Sequence, residues 1–391
     1  MRSCDVLIGL GLTGLFLSTF GTPVLALLIS IIKNKITPPN STSEGTNSIP
    51  PVSSFEFLIP AHNEEILIQE TLSSILEAGR LIQARMAPTA EMKIAVGLDH
   101  CTDGTRNAVS RFAAICPWPV RVIENPISPG KWNTLKSLLE DVDSDWIAFI
   151  DSGTIWSREL LMTAWNLFAD PRVIAVAPSY QPAGAGLMEK VLWRLESILK
   201  RIESMAGGPV TVHGATVFYR RPEICQAVEA LSLRITVRTW LNDDVVIPLH
   251  LRYTYPRRCI ATISGNRGSA AVRDLGVVSS SRIEYQRRRR MVIGNLQWIT
   301  TLLFRNAGRD LCVTLIASRR AFRLLWSYWV LFVLVGVGIR FAPAARSLGV
   351  GVPVLVGVFF LSGWIRRIST AFLSGLEVPF HFKQRKPVLW N

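Results

Sequence analysis

The stretch WIAFIDSGTIW, residues 146–156, runs apolar for five positions and then sets a carboxylate, Asp151, where the apolar run stops. Five apolar residues bounded by polar turns read as a buried strand. An acid at the carboxyl end of such a strand makes sense if that end faces a ligand. The same alternation extends on both sides. Residues 55–59, 94–98, 120–123 and 173–177 are further strand candidates, and 65–78, 105–114, 131–142 and 158–168 carry apolar residues at helical spacing. Strands alternating with helices predict an α/β domain with a mostly parallel central sheet covered on both faces. In such sheets ligands bind in the crevice beyond the carboxyl ends of the strands.

Acids collect at those ends. The first strand is followed by Pro60-Ala61-His62-Asn63-Glu64-Glu65, the second by Asp99-His100-Cys101-Thr102-Asp103-Gly104-Thr105, and the fourth by Asp151-Ser152-Gly153-Thr154. Helix capping is the competing explanation, since Asn63, Thr102 or Asp103, and Ser157 each precede a helical pattern. Capping accounts for Asp103 and Ser157. It does not account for Asp99 and Asp151, which stand at the strand boundary, too early for a cap. Asp143-Ser144-Asp145 lies before the fourth strand, at the opposite end of the sheet, and reads as a polar turn.

The chain has neither a G-x-x-x-x-G-K-[ST] loop nor a G-x-G-x-x-G turn after a strand, which argues against a P-loop nucleotidase and a dinucleotide dehydrogenase. An acidic rim binds an anionic nucleotide only through a divalent cation or basic residues. Lys131, in SPGKWNTLK at the start of a helical pattern, is placed to be one such base.

The flanks are of a different character. Residues 6–32 contain no charge and exceed the roughly 20 residues that span a bilayer as a helix. Val24-Leu25-Ala26 has the look of a signal cleavage site, but the run continues past it, so a transmembrane anchor is expected. Residues 324–339 and 347–365 read as a second and third span, joined by a short loop carrying Arg340 and Arg346. Lys33 and Lys35, then Arg319, Arg320 and Arg323, then Arg366 and Arg367 border the other span ends and outnumber that pair. The positive-inside rule therefore puts the N-terminus outside and residues 33–323 in the cytoplasm, most simply at the plasma membrane. Residues 33–54 read as a polar tether, 55–290 as the catalytic domain, 291–323 as an interfacial amphipathic segment and 366–391 as a cytoplasmic tail. A net charge of +14 suits a domain held against anionic lipid and drawn to anionic substrates. No nucleic-acid-binding module is recognisable. The six cysteines show no C-x-x-C pair, so they are expected to be free thiols.

Downstream, TWLNDDVVIPLHLR, residues 239–252, pairs Asp243 with Asp244 at the start of an amphipathic segment, and EYQRRRRMVIGNLQW, residues 284–298, follows. Taken in order, these pieces resemble the membrane-bound family 2 glycosyltransferases, which use a GT-A nucleotide-sugar fold and include polysaccharide synthases and glycolipid-forming transferases. The resemblance covers roughly residues 54–298. It implies that Pro60, Ala61, Asn63 and Glu65 border the nucleoside, that Asp99 contacts the base, and that Lys131 lies near the phosphates. It further implies that Asp151 is the first aspartate of the metal-binding D-x-D motif and that Asp243-Asp244 is the acidic pair whose second member is the general base. Gln286 and Arg289, with Arg290 beside them, match the Q-x-x-R-W segment near the pyrophosphate and acceptor.

This chain departs from the pattern at Gly153, in place of the second D-x-D acid, at Asp243, in place of glutamate, at Asn242, where threonine is frequent, and at Arg290, in place of tryptophan. The expected protein is a membrane-bound, inverting glycosyltransferase. It would move a sugar from a nucleotide diphosphate sugar, a UDP-sugar foremost, to a lipid-linked or glycan acceptor, with Mg²⁺ or Mn²⁺ on Asp151. The replaced tryptophan and the small number of spans lean towards single or limited transfer. A non-catalytic nucleotide-sugar sensor or partner subunit is the alternative.

Overall fold

The computed structural model describes residues 3–32, 54–182, 187–234, 239–263, 271–275 and 281–347. The tether at 33–53, the third span at 347–365 but for its first residue, and the tail at 366–391 lie outside the described residues. The described residues divide into two units, one of those within 27–278 and one of residues 3–26 with 281–347.

The larger unit is the α/β domain. Its strands are β1 (Ser54–Ala61), β2 (Glu91–Leu98), β3 (Val120–Glu124), β4 (Trp146–Ile150), β5 (Thr154–Trp156), β6 (Val173–Ala177), β7 (Ser179–Pro182), β8 (Thr216–Arg220), β9 (Cys259–Thr262) and β10 (Ala271–Asp274). The main sheet runs β3-β2-β1-β4-β8-β6-β9, and β5-β10-β7 form a smaller one. β1 pairs in parallel with β2 and β4, and β2 with β3, while β8 is antiparallel to both β4 and β6. The expected mostly parallel sheet is present, and the predicted strands and helices fall on observed ones.

All eight residues of β1 are buried, as continuous apolar character predicts for a parallel strand covered on both faces. Phe57 meets Trp156 edge-on at 5.6 Å between centroids, and Trp156 in turn lies 5.2 Å from Phe218. The strand order reverses between β1 and β4, and the β1–β4 ladder ends at Leu58 opposite Phe149. Pro60, which has no N–H to give, sits beyond that last pair. The two strands thus part at the switch point where ligands bind in such sheets.

A continuous helix spans Ser3–Ile32, 30 residues long and apolar enough to cross a membrane, and its residues 3–26 belong to the smaller unit. One π-helical turn, Leu17–Gly21, interrupts it, and there Ser18 and Thr19 donate their hydroxyls to the Leu15 carbonyl. The helix Trp326–Ser347 packs antiparallel against its first half through glycines. A Cβ on Gly11 would lie 2.5 Å from the Trp329 carbonyl oxygen, one on Gly14 2.2 Å from the Trp329 ring, and one on Gly336 2.7 Å from Ile8. Close backbone approach of this kind is how apolar helices associate where lipid removes the hydrophobic drive. At the open end Arg340 donates to Asp5 at 2.6 Å, so one of the two arginines that oppose the positive-inside reading is neutralised within the unit.

Several helices cover the stretch expected to hold an interfacial segment at 291–323 and a span at 324–339. Ser281–Trp298 continues through a second π-helical turn, Ile299–Leu303, and Leu311–Leu324 starts anew with Asp310 accepting from the N–H groups of Cys312 and Val313. Leu311–Leu324 and Trp326–Arg340 together form an apolar pair bent by 59°. Gly14→Val should overpack the Trp329 contact and cost about 1–3 kcal/mol. Thermal unfolding in detergent, followed by circular dichroism, checks this: the variant's midpoint is expected several degrees below wild type.

Candidate active site

Loops after β1 and β2 are stitched to each other. Asn63, at φ +56°, accepts from the N–H and hydroxyl of Thr102 at 2.8 and 3.3 Å. The Glu65 N–H donates to Asp103 at 3.1 Å, and the Glu65 carboxylate accepts from the Gly104 N–H at 3.0 Å. Glu64 and His62 add bonds to the Thr105 hydroxyl and the Asp99 carbonyl. Asn63 and Glu65, expected beside a nucleoside, thus also brace the rim, and Pro60 and Ala61 are buried within β1.

The capping expectations divide. Asp103 does accept from the Thr105 N–H at 3.0 Å, at the head of the helix Thr105–Ala113. Asn63 instead serves the Thr102 loop, and the next helix starts only at Ile68. Ser157 is a correction too: its hydroxyl accepts from the Ala271 N–H at 2.9 Å, tying β5 to β10 in place of capping a helix.

Asp99 is fully buried. One carboxylate oxygen accepts from the Asn125 amide at 2.7 Å and the other from the Gly130 N–H at 2.8 Å. Gly130 has φ +143°, a conformation that side chains rarely adopt, and it opens the helix Lys131–Leu139. Asp99 therefore fixes the turn that presents Lys131.

The Lys131 ammonium lies 2.6 Å from Asp151 and 2.9 Å from Asp243. The two flanking carboxylates hold its pKa well above the ordinary lysine value against the opposing effect of burial. The lysine is therefore protonated at and below its ordinary pKa and loses its proton only as pH rises through the still higher folded value. Asp151 follows β4 and is anchored by its N–H to the Ala215 carbonyl at 2.9 Å. Asp243 and Asp244 occupy the first turn of the helix Asp243–Thr254, and the Asp244 carbonyl accepts from the Val212 N–H at 3.0 Å. Because β8 is antiparallel and Thr216 stands opposite Ile150, the segment 213–215 enters at the same rim.

Gly214 separates the acids. A Cβ there would lie 3.5 Å from the Asp244 Cβ and 3.7 Å from an Asp151 oxygen. Three groups here carried no signal strong enough to single out in the sequence. His213 stacks on Tyr180 with centroids 3.6 Å apart, giving a flat aromatic surface beside the acids. Tyr219, buried in β8, keeps its phenol proton because burial and the charges of Asp243 and Asp244 push its pKa up.

Gly153 has a backbone reason to be glycine. Its φ is +84°, its N–H donates to the Thr71 hydroxyl at 3.0 Å and its carbonyl accepts from Leu275. Among the described residues, no three His, Cys, Asp or Glu side chains are grouped to hold a metal. Asp151, whose side chain is 41% exposed, offers one hard carboxylate beside the side-chain-free Gly214. That fits Mg²⁺ or Mn²⁺ only as part of a set completed by phosphate oxygens and water. Gln286, Arg289 and Arg290 lie on the helix Ser281–Trp298 of the other unit.

Residues 56–225 match the model of glycosyl transferase family 2. Over that segment the chain resembles family 2 glycosyl transferases. Comparison with curated proteins gives no match. Among solved structures, a mannosyltransferase from Pyrobaculum calidifontis in complex with GDP-Man and Mn²⁺ is similar at TM-score 0.66 and 19% identity, covering 96% of this chain and 98% of that one. Glucosyl-3-phosphoglycerate synthase from Mycobacterium tuberculosis, with Mn²⁺, UDP-Glc and phosphoglyceric acid, is similar at 0.43 and 16%, covering 66% and 86%. TarS 1–349 from S. aureus is similar at 0.43 and 14%, covering 84% and 91%. At these identities the likeness is one of fold.

Two outcomes follow. Gly153→Asp should lower stability by about 1–2 kcal/mol without strengthening metal binding, as denaturant melts and Mn²⁺ titration would register. Asp99→Ala should cost about 1–3 kcal/mol by leaving two buried donors unpaired, measured by the same melts.

Proposed function

We propose that the chain is a membrane-bound, inverting transferase that moves a sugar from a nucleotide diphosphate sugar to the hydroxyl of a lipid-linked or glycan acceptor. The observation that carries this reading is the convergence of Asp151, Lys131, Asp243 and Asp244 at one rim, beyond the parting of β1 and β4. Asp244 takes the proton of the acceptor hydroxyl as that oxygen attacks the anomeric carbon. One base and no enzyme nucleophile is what inversion requires. Lys131 meets the charge that grows on the departing diphosphate, and Asp243 holds the lysine in position. Mg²⁺ or Mn²⁺ on Asp151, where bound, supplies further positive charge to the same leaving group. Asp99, through Gly130, sets the lysine's approach, and contact with a base would add to that work. The Tyr180–His213 face offers a stacking surface for a base or a sugar.

The 30-residue apolar helix at the N-terminus supports the membrane reading, with residues 33–323 cytoplasmic at the plasma membrane. A lipid-bearing acceptor suits that location, and single or limited transfer remains the preferred mode. The tether, the third span and the tail retain their sequence-based boundaries. The roles given to Gln286, Arg289 and Arg290 rest on the sequence resemblance.

The test is release of nucleoside diphosphate from UDP- and GDP-sugars by the full chain in native membranes. GDP-sugars belong in the panel because the mannosyltransferase structure carries GDP-Man. One donor should be turned over, and Asp244→Asn should cut the rate by about 10²–10⁴-fold while leaving nucleotide binding intact. Unchanged turnover in that variant would remove Asp244 as the base. Nucleotide binding without turnover of any donor, in membranes supplied with acceptor lipid, would favour the sensor reading.

A further inference from the structure

The metal-bearing carboxylate of the proposed site already has a cation on it. The Lys131 ammonium lies 2.6 Å from Asp151 Oδ1 and 2.9 Å from Asp243 Oδ2, and the lysine side chain is only 20% exposed. The Asp99–Gly130 bond holds the lysine's helix start in place, so the ammonium is delivered there by the fold and is not a wandering surface charge.

We propose that Lys131 is the resident cation of the donor-free site: it excludes a divalent ion from Asp151 until the diphosphate of the donor draws the ammonium away. This inference rests on the metal-assisted reading above and adds to it an order of binding. A divalent ion on Asp151 while the ammonium remains would set two cations on the same carboxylate, with Asp243 and Asp244 the other acids at the rim to offset them. The repulsion is large at that separation. An incoming diphosphate changes the balance. Its oxygens accept from the ammonium, and its negative charge offsets the added ion, so Asp151 can exchange one cation for the other. Metal and nucleotide then bind together, and neither binds well alone. The missing second acid at Gly153 reinforces this order, since no other carboxylate stands at that position to compete with the lysine for the ion.

The experiment is Mn²⁺ binding to the full chain in detergent, read from the electron paramagnetic resonance signal of free Mn²⁺, with and without UDP or GDP. Wild type should bind Mn²⁺ weakly alone and more tightly with the nucleotide. Lys131→Met should bind Mn²⁺ without nucleotide roughly tenfold more tightly than wild type, as expected from removing one positive charge near a divalent ion. Its gain on adding nucleotide should shrink. Lys131→Arg, which keeps the charge, should stay close to wild type, and circular dichroism confirms that each variant is folded. Folded Lys131→Met with donor-free affinity no higher than wild type, while nucleotide still promotes Mn²⁺ binding in wild type, would overturn the exclusion alone. If no form binds Mn²⁺ even with UDP or GDP, the metal-assisted reading fails and the inference with it.

Discussion

An ammonium between two carboxylates is the interaction on which the rim depends. Asp151 ends β4, Asp243 opens a helix about ninety residues later in the sequence, and Lys131 binds both. With Asp244 alongside, the acids would repel one another across a partly desolvated cleft if nothing intervened. The lysine removes that conflict and fixes how far apart the carboxylates stand. Its own place is set by Asp99, whose two oxygens hold Asn125 and Gly130. The residues named in the sequence for separate roles therefore form one chain of contacts, from the end of β2 through Gly130 and Lys131 to the ends of β4 and the acidic helix.

The backbone prepares this arrangement before any side chain is considered. The β1–β4 ladder stops at Leu58, and Pro60 gives no donor to extend it. The antiparallel β8 brings residues 213–215 to the same rim from the other direction, and at Gly214 the absence of a side chain keeps Asp151 and Asp244 facing a common space. The stitching of the loops after β1 and β2 stiffens the opposite wall. A site that must bind a flexible, highly charged donor gains from such rigidity, because fewer groups have to be ordered at the moment of binding.

Much of this was legible in the sequence because it is periodic or punctuated. Buried parallel strands are nearly continuous apolar runs, so β1, β2, β4 and β6 declared themselves, and acids at their ends marked the rim. What was hidden depends on contacts between segments distant in the sequence. Gly153 looked like a lost metal ligand, whereas its φ of +84° and its bonds to Thr71 and Leu275 make it a turn residue. Ser157 looked like a helix cap and instead binds Ala271 across more than a hundred residues. Tyr180 and His213 are ordinary residues until the fold stacks them. In the apolar unit, hydropathy gave length but not partners. The glycines that let Trp329 approach the first helix, and the Asp5–Arg340 pair, require knowing that the two helices run antiparallel.

A structure of the full chain with a nucleoside diphosphate and Mn²⁺, determined by cryo-electron microscopy or crystallography, tests the central claim most directly. The account predicts that the Lys131 ammonium has left Asp151 for a phosphate oxygen, that the ion occupies Asp151, and that Asp244 faces the side from which an acceptor hydroxyl approaches. A complex in which the Lys131–Asp151 pair remains intact, with the diphosphate bound away from this rim, would contradict it.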